Sequence, residues 1–315
     1  MDGIVSDPQE APAAGLPGFD ALHARADGLA SPVPVAVMGA PDRTVLEAFR
    51  AATDRGWVEP TVVGPESGFR DLAGSSGIAL DGFGFLDAPD PAGQAVASIA
   101  AAREGRVRFL AKGQISTPTL MHALLDPEHG LRVGRVVCQV VLMEVVRDSR
   151  RFLMADTGIS IKPKLATRVD IVRQAIEVAR ALGVDRPRVA MMAASEAVNA
   201  AMPETIDAAE LKRRSADGEF GLAMIEGPLS FDLAYSPDAG SKKRVAGQVI
   251  GAADAMIFPD LLSANLTVKA IMYTADCRFG GVLRGTTAPV AFMSRADTTA
   301  TRLNSLALAL ALLDR

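Results

Sequence analysis

Short apolar runs alternate with helix-like segments over most of the chain. The run "VPVAVMGA" at 33–40 precedes the amphipathic stretch "RTVLEAFRAATDRGW" at 43–57, and "EPTVVGPES" at 59–67 gives a second strand and turn. Strand-like runs continue at 81–90, 107–117, 187–194, 222–228 and 253–259, and helix-like segments at 91–105, 169–183 and 261–275. This alternation predicts βαβ units and an α/β fold with a mostly parallel sheet.

The middle of the chain departs from this pattern. The apolar runs "GRVVCQVVLMEVV" at 134–146 and "RFLMAD" at 151–156 are separated by only four residues. Because a parallel crossover needs a dozen or more residues, these two runs predict a β-hairpin.

Near the C-terminus, "APVAF" at 288–292 leads through Ser294, Arg295 and Asp297 into a long apolar helix. A helix N-terminus offers unpaired backbone N–H groups and a partial positive charge. With an arginine and a hydroxyl beside it, this junction is suited to an anion. The alternative is that Asp297 or Thr298 is only the N-cap and Arg295 a surface residue.

Polar residues also follow the other predicted strands. They are Lys112, Ser116, Thr117, Asp156, Asp232, Asp260, Asn265 and Lys269. Since ligands of open α/β sheets bind beyond the carboxyl ends of the strands, these residues predict a polar cleft. The alternative is that Asp156 and Asp260 cap helices and that Lys269 is solvated.

Composition narrows the class of protein. The 315 residues are 49% hydrophobic, enough for a large core, and fit two α/β lobes or one large domain. The net charge is −4 without a block of like charge, and aromatic residues make up 5%, so no nucleic-acid partner is expected. No uncharged apolar run approaches the ~20 residues that span a bilayer. We therefore expect a cytoplasmic protein that does not bind a membrane, with a disordered leader at 1–19.

Cysteines and histidines give no sign of a metal site or a disulfide. Cys138 and Cys277 are far apart, and the three histidines show no metal-ligand spacing with them. Cys138 lies inside an apolar run, which favours a buried, inert thiol. The sequence also lacks a P-loop, a G-x-G-x-x-G turn and a G-x-S-x-G elbow. What remains is an anion-binding cleft without evident covalent or metal catalysis.

Several ordered motifs resemble the phosphate acetyltransferase and phosphate butyryltransferase family. The most specific are "EGPLSFDLA" at 226–234, "FPDLLSANLTVKA" at 258–270 and "APVAFMSRADTTATRLNSLALA" at 288–309. Weaker support comes from 110–126 and 164–183, and the details "AKG" and "SRAD" look closer to the butyryltransferase branch.

The resemblance implies the reversible reaction of acyl-CoA and inorganic phosphate to acyl phosphate and CoA, with neither a cofactor nor a metal. It also implies two lobes similar to the isocitrate/isopropylmalate dehydrogenase fold, an active-site cleft between them, and a homodimer or higher homo-oligomer. The first lobe is placed at 20–133 with 285–315, and the second at 134–284. The acyl chain length stays open.

The resemblance also assigns roles to residues. Ser294, Arg295 and the N-terminal amides of the last helix would hold phosphate, with Ser116 and Thr117 facing the same pocket. Further substrate-binding residues would be Lys112, Asp232, Asn265 and Lys269.

Two positions depart from the family pattern. The acetyltransferase aspartate is replaced by Thr301, and the acidic residue of the butyryl branch by Ala300, so Asp297 is the nearest candidate for a catalytic carboxylate. An arginine of the phosphate pocket is replaced by His122, which would make phosphate binding sensitive to pH. Two other functions therefore stay open: a catalytically weak acyl-CoA or phosphate sensor, and an oxidoreductase of the related dehydrogenase fold.

Overall fold

An eleven-stranded β-sheet runs through the part of the chain that the computed structural model describes, residues 15–292 and 294–313. In chain order the strands are β1 (Val33–Met38), β2 (Val58–Gly64), β3 (Gly84–Asp87), β4 (Phe109–Lys112), β5 (Cys138–Val145), β6 (Arg150–Ala155), β7 (Arg188–Met192), β8 (Met224–Leu229), β9 (Ala255–Ile257), β10 (Cys277–Arg284) and β11 (Val290–Ala291). Their order across the sheet is β3-β2-β1-β4-β11-β10-β5-β6-β9-β7-β8.

Helices connect most of the strands and cover the sheet. They are α1 (Phe19–Asp27), α2 (Arg43–Asp54), α3 (Glu66–Ser76), α4 (Pro91–Arg103), α5 (Thr117–Leu124), α6 (Leu165–Ala181), α7 (Pro203–Ala216), α8 (Phe231–Tyr235), α9 (Pro237–Lys243), α10 (Leu261–Thr274) and α11 (Thr299–Ala311). The predicted α/β class and mostly parallel sheet are confirmed, as is the hairpin, which is formed by β5 and β6. None of the helices in the described residues combines the length and apolar character needed to cross a bilayer.

Strand direction reverses between the two sides of the sheet. β3, β2, β1, β4 and β11 are parallel to one another, and so are β6, β9, β7 and β8. Between these groups lie three antiparallel steps, from β11 to β10, β10 to β5 and β5 to β6. The second group therefore runs opposite to the first, and its carboxyl ends lie at the other edge of the sheet.

The predicted boundaries separate these groups of strands. Residues 20–133 with 285–315 contain β1–β4 and β11, and residues 134–284 contain β5–β10. Both sets are hydrogen-bonded into one sheet through β10 and β11. Whether they act as two lobes stays a prediction.

The last residues of the leader predicted at 1–19 belong to the folded chain. Residues 1–14 lie outside the described residues, whereas Leu16 is 3% exposed and Phe19 is fully buried. The Phe19 N–H donates to the Glu144 carboxylate at 3.1 Å, which fixes the start of α1 against β5. The end of the predicted leader is therefore wrong, because two apolar side chains within it pack into the core.

β10 is absent from the sequence prediction, yet it connects the two sides of the sheet. Its sequence "CRFGGVLR" has two central glycines and two arginines, so it lacks the apolar pattern of a buried strand. Gly280 explains part of this composition: a Cβ there would lie 2.8 Å from the backbone carbon of Asn304 and 2.9 Å from the nitrogen of Ser305. α11 therefore packs directly against the backbone of β10.

Both cysteines are free thiols. Cys138 is buried in β5, as predicted, and burial raises its pKa well above the ordinary value. Such a thiol is a weak nucleophile at neutral pH.

Asp156 holds together the turn that follows β6. Its side chain is 3% exposed, and its carboxylate accepts hydrogen bonds from the backbone N–H groups of Gln139, Gly158, Ile159 and Ser160 at 2.8–3.1 Å. Asp260, by contrast, is a simple N-cap that accepts one bond from the Ser263 N–H at 2.8 Å. The helix-cap alternative is therefore confirmed for Asp260 and wrong for Asp156, which binds a turn and the neighbouring strand.

We predict that Asp156→Ala lowers the free energy of unfolding by about 3 kcal/mol or more, because it leaves four partly buried N–H groups without an acceptor. The control Asp260→Ala, which removes one cap, should cost about 1 kcal/mol. Urea unfolding followed by circular dichroism measures both. Equal losses in the two variants would contradict the structural role of Asp156.

Candidate active site

A cleft of about 430 Å³ lies where β4 and β11 end beside the longer strands β10 and β5. α10 lines its other side. The residues that line the cleft with polar groups are Lys112, Thr117, Gln139, Thr157, Asn265, Lys269, Ser294, Arg295, Asp297, Thr298, Thr301 and Ser305. They come from both predicted parts of the chain, 20–133 with 285–315 and 134–284.

The loop before α11 is closed by its own hydrogen bonds. The Asp297 carboxylate accepts from the Ser294 N–H at 2.7 Å, and the Asp297 N–H donates to the Ser294 carbonyl at 3.2 Å. The N-cap of α11 is Thr298, whose hydroxyl accepts from the Thr301 N–H at 3.2 Å. Thr298 is thus the helix cap, and Asp297 instead fixes the conformation that presents Ser294 and Arg295 to the cleft. We call residues 294–297 the anion loop.

A polar network behind the anion loop joins it to the turns after β1 and β4. The Gln114 amide donates to Asp42 at 2.9 Å and to the Arg295 carbonyl at 3.1 Å. The Thr44 hydroxyl donates to Asp42 at 2.6 Å and accepts from Nε of Arg302 at 2.9 Å. Arg302 is fully buried, and its charge faces Asp42 at 3.9 Å. These four residues position the loop without lining the cleft.

The pKa of the Asp297 carboxyl group differs from its ordinary value. Burial raises its pKa, while the Ser294 N–H and the positive charges of Arg302, Lys112 and Lys269 oppose that shift. A carboxyl group whose pKa moves toward neutrality can exchange a proton more readily at working pH.

Lys112 brings a buried amine to the same place. Its side chain is 3% exposed, and Nζ lies 5.5 Å from the centre of the Phe292 ring. Burial, together with the positive charges of Arg295 and Arg302, lowers its pKa to about 8, against the opposing effect of Asp297. An anion in the cleft would relieve this repulsion among three cations.

The opposite wall is formed by α10 and the turn after β6. The Asn265 side-chain amide donates to the Thr157 carbonyl at 3.3 Å, and Lys269 follows one turn later on α10. The Thr157 hydroxyl is buried and has no hydrogen-bond partner within residues 15–292 and 294–313. This wall therefore adds another cation and an unused hydroxyl.

Residues 93–310 match the phosphate acetyl/butaryl transferase family, which is more than half of the chain. The chain belongs to this family. It is 35% identical to the phosphate butyryltransferase of Clostridium acetobutylicum over 87% of this chain and 91% of that protein. It is 33% identical to the phosphate acetyltransferase of Thermotoga maritima over 87% and 93%.

Solved structures agree with the family assignment. A branched-chain phosphotransacylase from Enterococcus faecalis V583 superposes with a TM-score of 0.80 at 28% identity, over 89% of this chain and 99% of that one. A 4-hydroxythreonine-4-phosphate dehydrogenase from Klebsiella pneumoniae gives a TM-score of 0.50 at 15% identity, over 91% and 100%. The second similarity concerns the fold alone, and it extends the likeness to a dehydrogenase fold.

Most of the residues that the sequence singled out for this transferase family lie in the cleft. They are Lys112, Thr117, Asn265, Lys269, Ser294, Arg295 and Asp297. Ser116 lies one residue outside the lining and caps α5, where its hydroxyl bonds to the Thr119 hydroxyl at 2.7 Å and to the Thr119 N–H at 3.2 Å. Lys269 reaches the cleft because α10 returns across the sheet from the end of β9 to the start of β10.

His122 and Asp232 are not brought to the cleft. His122 is exposed in the last turn of α5, about one and a half turns from Thr117, so the predicted contact with phosphate is absent here. Asp232 follows β8, whose carboxyl end lies at the opposite edge of the sheet, and it pairs with Lys243 at 2.9 Å. The physical reason for this second correction is the place of β8 at the edge of the sheet, where β5, β6, β9 and β7 lie between it and β10.

Sequence reasoning missed several lining residues of the transferase cleft. Thr298, Thr301 and Ser305 follow each other at spacings of three and four, which places their hydroxyls on one face of α11. This spacing could have identified the three residues as cleft-lining from the sequence. Gln139 and Thr157 carry no such signal, because only the pairing of β5 with β6 brings them together.

We predict that phosphate binding weakens as pH rises through about 8, because Lys112 then loses its charge. The same shift in pKa also affects stability. Below pH 8 the folded protein buries a charged amine, which lowers the free energy of unfolding. This cost disappears as the pH rises toward 10.5, the pKa of the amine in the unfolded chain. Calorimetric titration with inorganic phosphate should show up to about tenfold weaker binding at pH 10 than at pH 8.

Lys112→Met should bind phosphate weakly at pH 8 and show no further loss by pH 10. The exposed Lys212 on α7 supplies the control, since Lys212→Met should keep the natural profile. An unchanged decline in Lys112→Met would assign the titration to another group.

Proposed function

We propose that this protein transfers an acyl group between CoA and inorganic phosphate, using the cleft between α10 and α11. The observation that carries the proposal is the anion loop, which presents Ser294 and Arg295 at the N-terminus of α11 beside the buried Lys112. Family membership and similarity to proteins named phosphate butyryltransferase and phosphate acetyltransferase support it.

Phosphate would bind at the anion loop. The first amides of α11 and the Arg295 guanidinium are donors suited to phosphate oxygens, and Lys112 adds a charge close by. The Ser294 hydroxyl is a further donor at the rim of the cleft. Placing the acyl-CoA thioester beside this phosphate would remove most of the entropic cost of bringing two substrates together.

The reaction balances without a covalent enzyme intermediate. A phosphate oxygen forms a bond to the thioester carbon, the carbon–sulfur bond breaks, and the proton of hydrogen phosphate ends on the CoA thiol. Asp297 would carry this proton, because its carboxyl group lines the cleft and burial raises its pKa above the ordinary value. Donors around the thioester carbonyl would stabilise the negative charge on its oxygen, on the order of 3 kcal/mol for each.

Three further features belong to the same proposal. The two groups of strands would act as lobes on either side of the cleft, the reaction would need neither a metal nor a cofactor, and the protein would be a homodimer. The reversal of strand direction at β10 and β5 supports the first, and the resemblance to the family supports the other two.

The decisive assay is release of CoA from acetyl-, propionyl-, butyryl- and isobutyryl-CoA. We expect release that depends on inorganic phosphate and is unchanged by a chelator or by nicotinamide nucleotides. Phosphate binding without turnover of any acyl-CoA would favour a sensor, and turnover that requires NADP would favour an oxidoreductase.

We predict that Arg295→Ala lowers kcat/KM for phosphate by about ten- to a hundredfold, because a charged hydrogen bond is worth roughly 1.5–3 kcal/mol. Arg295→Lys should restore only part of the loss, since lysine lacks the planar fork of guanidinium. Arg106, which pairs with Glu104 on the surface, provides the control Arg106→Ala. Normal phosphate kinetics in Arg295→Ala would show that Arg295 is a surface residue that does not bind phosphate.

A further inference from the structure

Lys112 is the one buried lysine among the seven of the chain, all of which lie within the described residues. Its side chain is 3% exposed and lines the cleft. The exposed lysines are Lys162, Lys164, Lys212, Lys242, Lys243 and Lys269. Burial beside a substrate site gives an amine a reactivity that exposed amines lack, because it changes the fraction that is unprotonated.

The Lys112 amine lies at the base of the anion loop. Lys112 and Phe292 come directly after the last paired residues of β4 and β11. Nζ of Lys112 is 5.5 Å from the centre of the Phe292 ring, and Ser294 follows that ring by two residues. The positive charge of Arg295 and the negative charge of Asp297 both act on the amine. The amine is therefore close to the groups proposed to hold phosphate.

We propose that Lys112 is a modification site, whose amine is acylated by an acyl phosphate bound in this cleft. The inference rests on the proposed acyl transfer, which makes an acyl phosphate in the same place. An acyl phosphate is a mixed anhydride, and its acyl carbon is bonded directly to a phosphate oxygen. Binding of the phosphate oxygens at the anion loop therefore brings an electrophilic carbon to the amine, and this proximity accelerates their reaction.

The modification forms an amide and releases phosphate. The lone pair of Nζ attacks the acyl carbon, the bond between this carbon and the phosphate oxygen breaks, and phosphate leaves with the bonding electrons. The departing phosphate takes the proton that the amine loses. The acyl phosphate is the only reactant besides the protein, and the product is an uncharged acyl-lysine.

The protonation state of Lys112 favours this reaction. Burial, together with the charges of Arg295 and Arg302, lowers its pKa to about 8, whereas pairing with Asp238 raises the pKa of the exposed Lys242. At pH 8 about half of the Lys112 amine is unprotonated, roughly a hundredfold more than for a lysine of pKa about 10.4. Part of this advantage is lost, because a less basic group is a weaker nucleophile and a bound phosphate raises the pKa again. We therefore expect a net advantage of about tenfold.

Acylation would also inactivate the phosphate site. It removes the charge of Lys112, and it leaves the acyl group inside a cleft of about 430 Å³. Both changes weaken the binding of phosphate at the anion loop. Accumulated acyl phosphate would thus stop its own formation.

The experiment incubates the natural protein with acetyl phosphate at pH 7, 8 and 9 and follows each lysine by peptide mass spectrometry. Lys112 should be acetylated at least about tenfold faster than Lys242 at pH 8, and faster at pH 9 than at pH 7. Inorganic phosphate should protect Lys112 and leave Lys242 unchanged, because it competes for the anion loop. Sodium chloride at the same ionic strength should protect neither. Phosphate-dependent release of CoA should fall in proportion to the acetylation of Lys112.

Two variants and a matched control test the site. Lys112→Arg should keep its remaining release of CoA constant during the incubation, since an arginine at this position is not acetylated. Arg295→Ala should slow the acetylation of Lys112 without changing that of Lys242, because the acyl phosphate loses a binding group. Lys242→Arg is the control and should leave the acetylation of Lys112 unchanged. If Lys112→Arg does not fold, protection of the natural protein by phosphate still tests the proposal.

The outcomes separate this inference from the proposed function. Phosphate-dependent release of CoA, with Lys112 acetylated no faster than Lys242 or without protection by phosphate, would overturn the modification site and leave acyl transfer standing. Acetylation that is selective for Lys112 and blocked by phosphate, without release of CoA from any acyl-CoA, would overturn acyl transfer and support the modification site. Absence of both reactions would overturn both proposals.

Discussion

The contact between α11 and β10 is the constraint on which the cleft depends. Gly280 lets the helix backbone lie against the strand, and the Gly281 N–H donates to Ser305 on that helix. This contact fixes the direction of α11, and so it fixes where the helix N-terminus and the anion loop lie.

The site brings together charged side chains whose burial destabilises the fold. Burial lowers the pKa of the Lys112 amine, with a further contribution from the charges of Arg295 and Arg302, and burial also raises the pKa of Asp297. Such an arrangement costs free energy in the empty protein, and a bound dianion would offset that cost. The rigid support comes from Asp42 and its partners, which hold the loop from behind and leave its donors directed at the cleft.

Local patterns predicted the elements, and long-range contacts decided the site. The helix at α2 and the β5–β6 hairpin follow from periodicity and a short connection, both visible in a few residues. β10 could not be found this way, because its glycines serve the packing of α11. Asp232 shows the main limit: it follows β8, the edge strand, and local patterns do not reveal the order of the strands across the sheet. The contact of Arg302 with Thr44 was missed for a similar reason, since the two residues are 258 positions apart along the chain.

The distance along the chain between the two sides of the anion site also bears on folding. The Thr44 hydroxyl and the Asp297 carbonyl are hydrogen-bonded at 3.5 Å across 253 residues of sequence, and Thr299 donates to Glu47 across 252. Contacts of such high contact order form slowly, because the entropy of closing the intervening chain must first be overcome. The proposed phosphate site therefore requires that residues 252 and 253 positions apart along the chain be brought together.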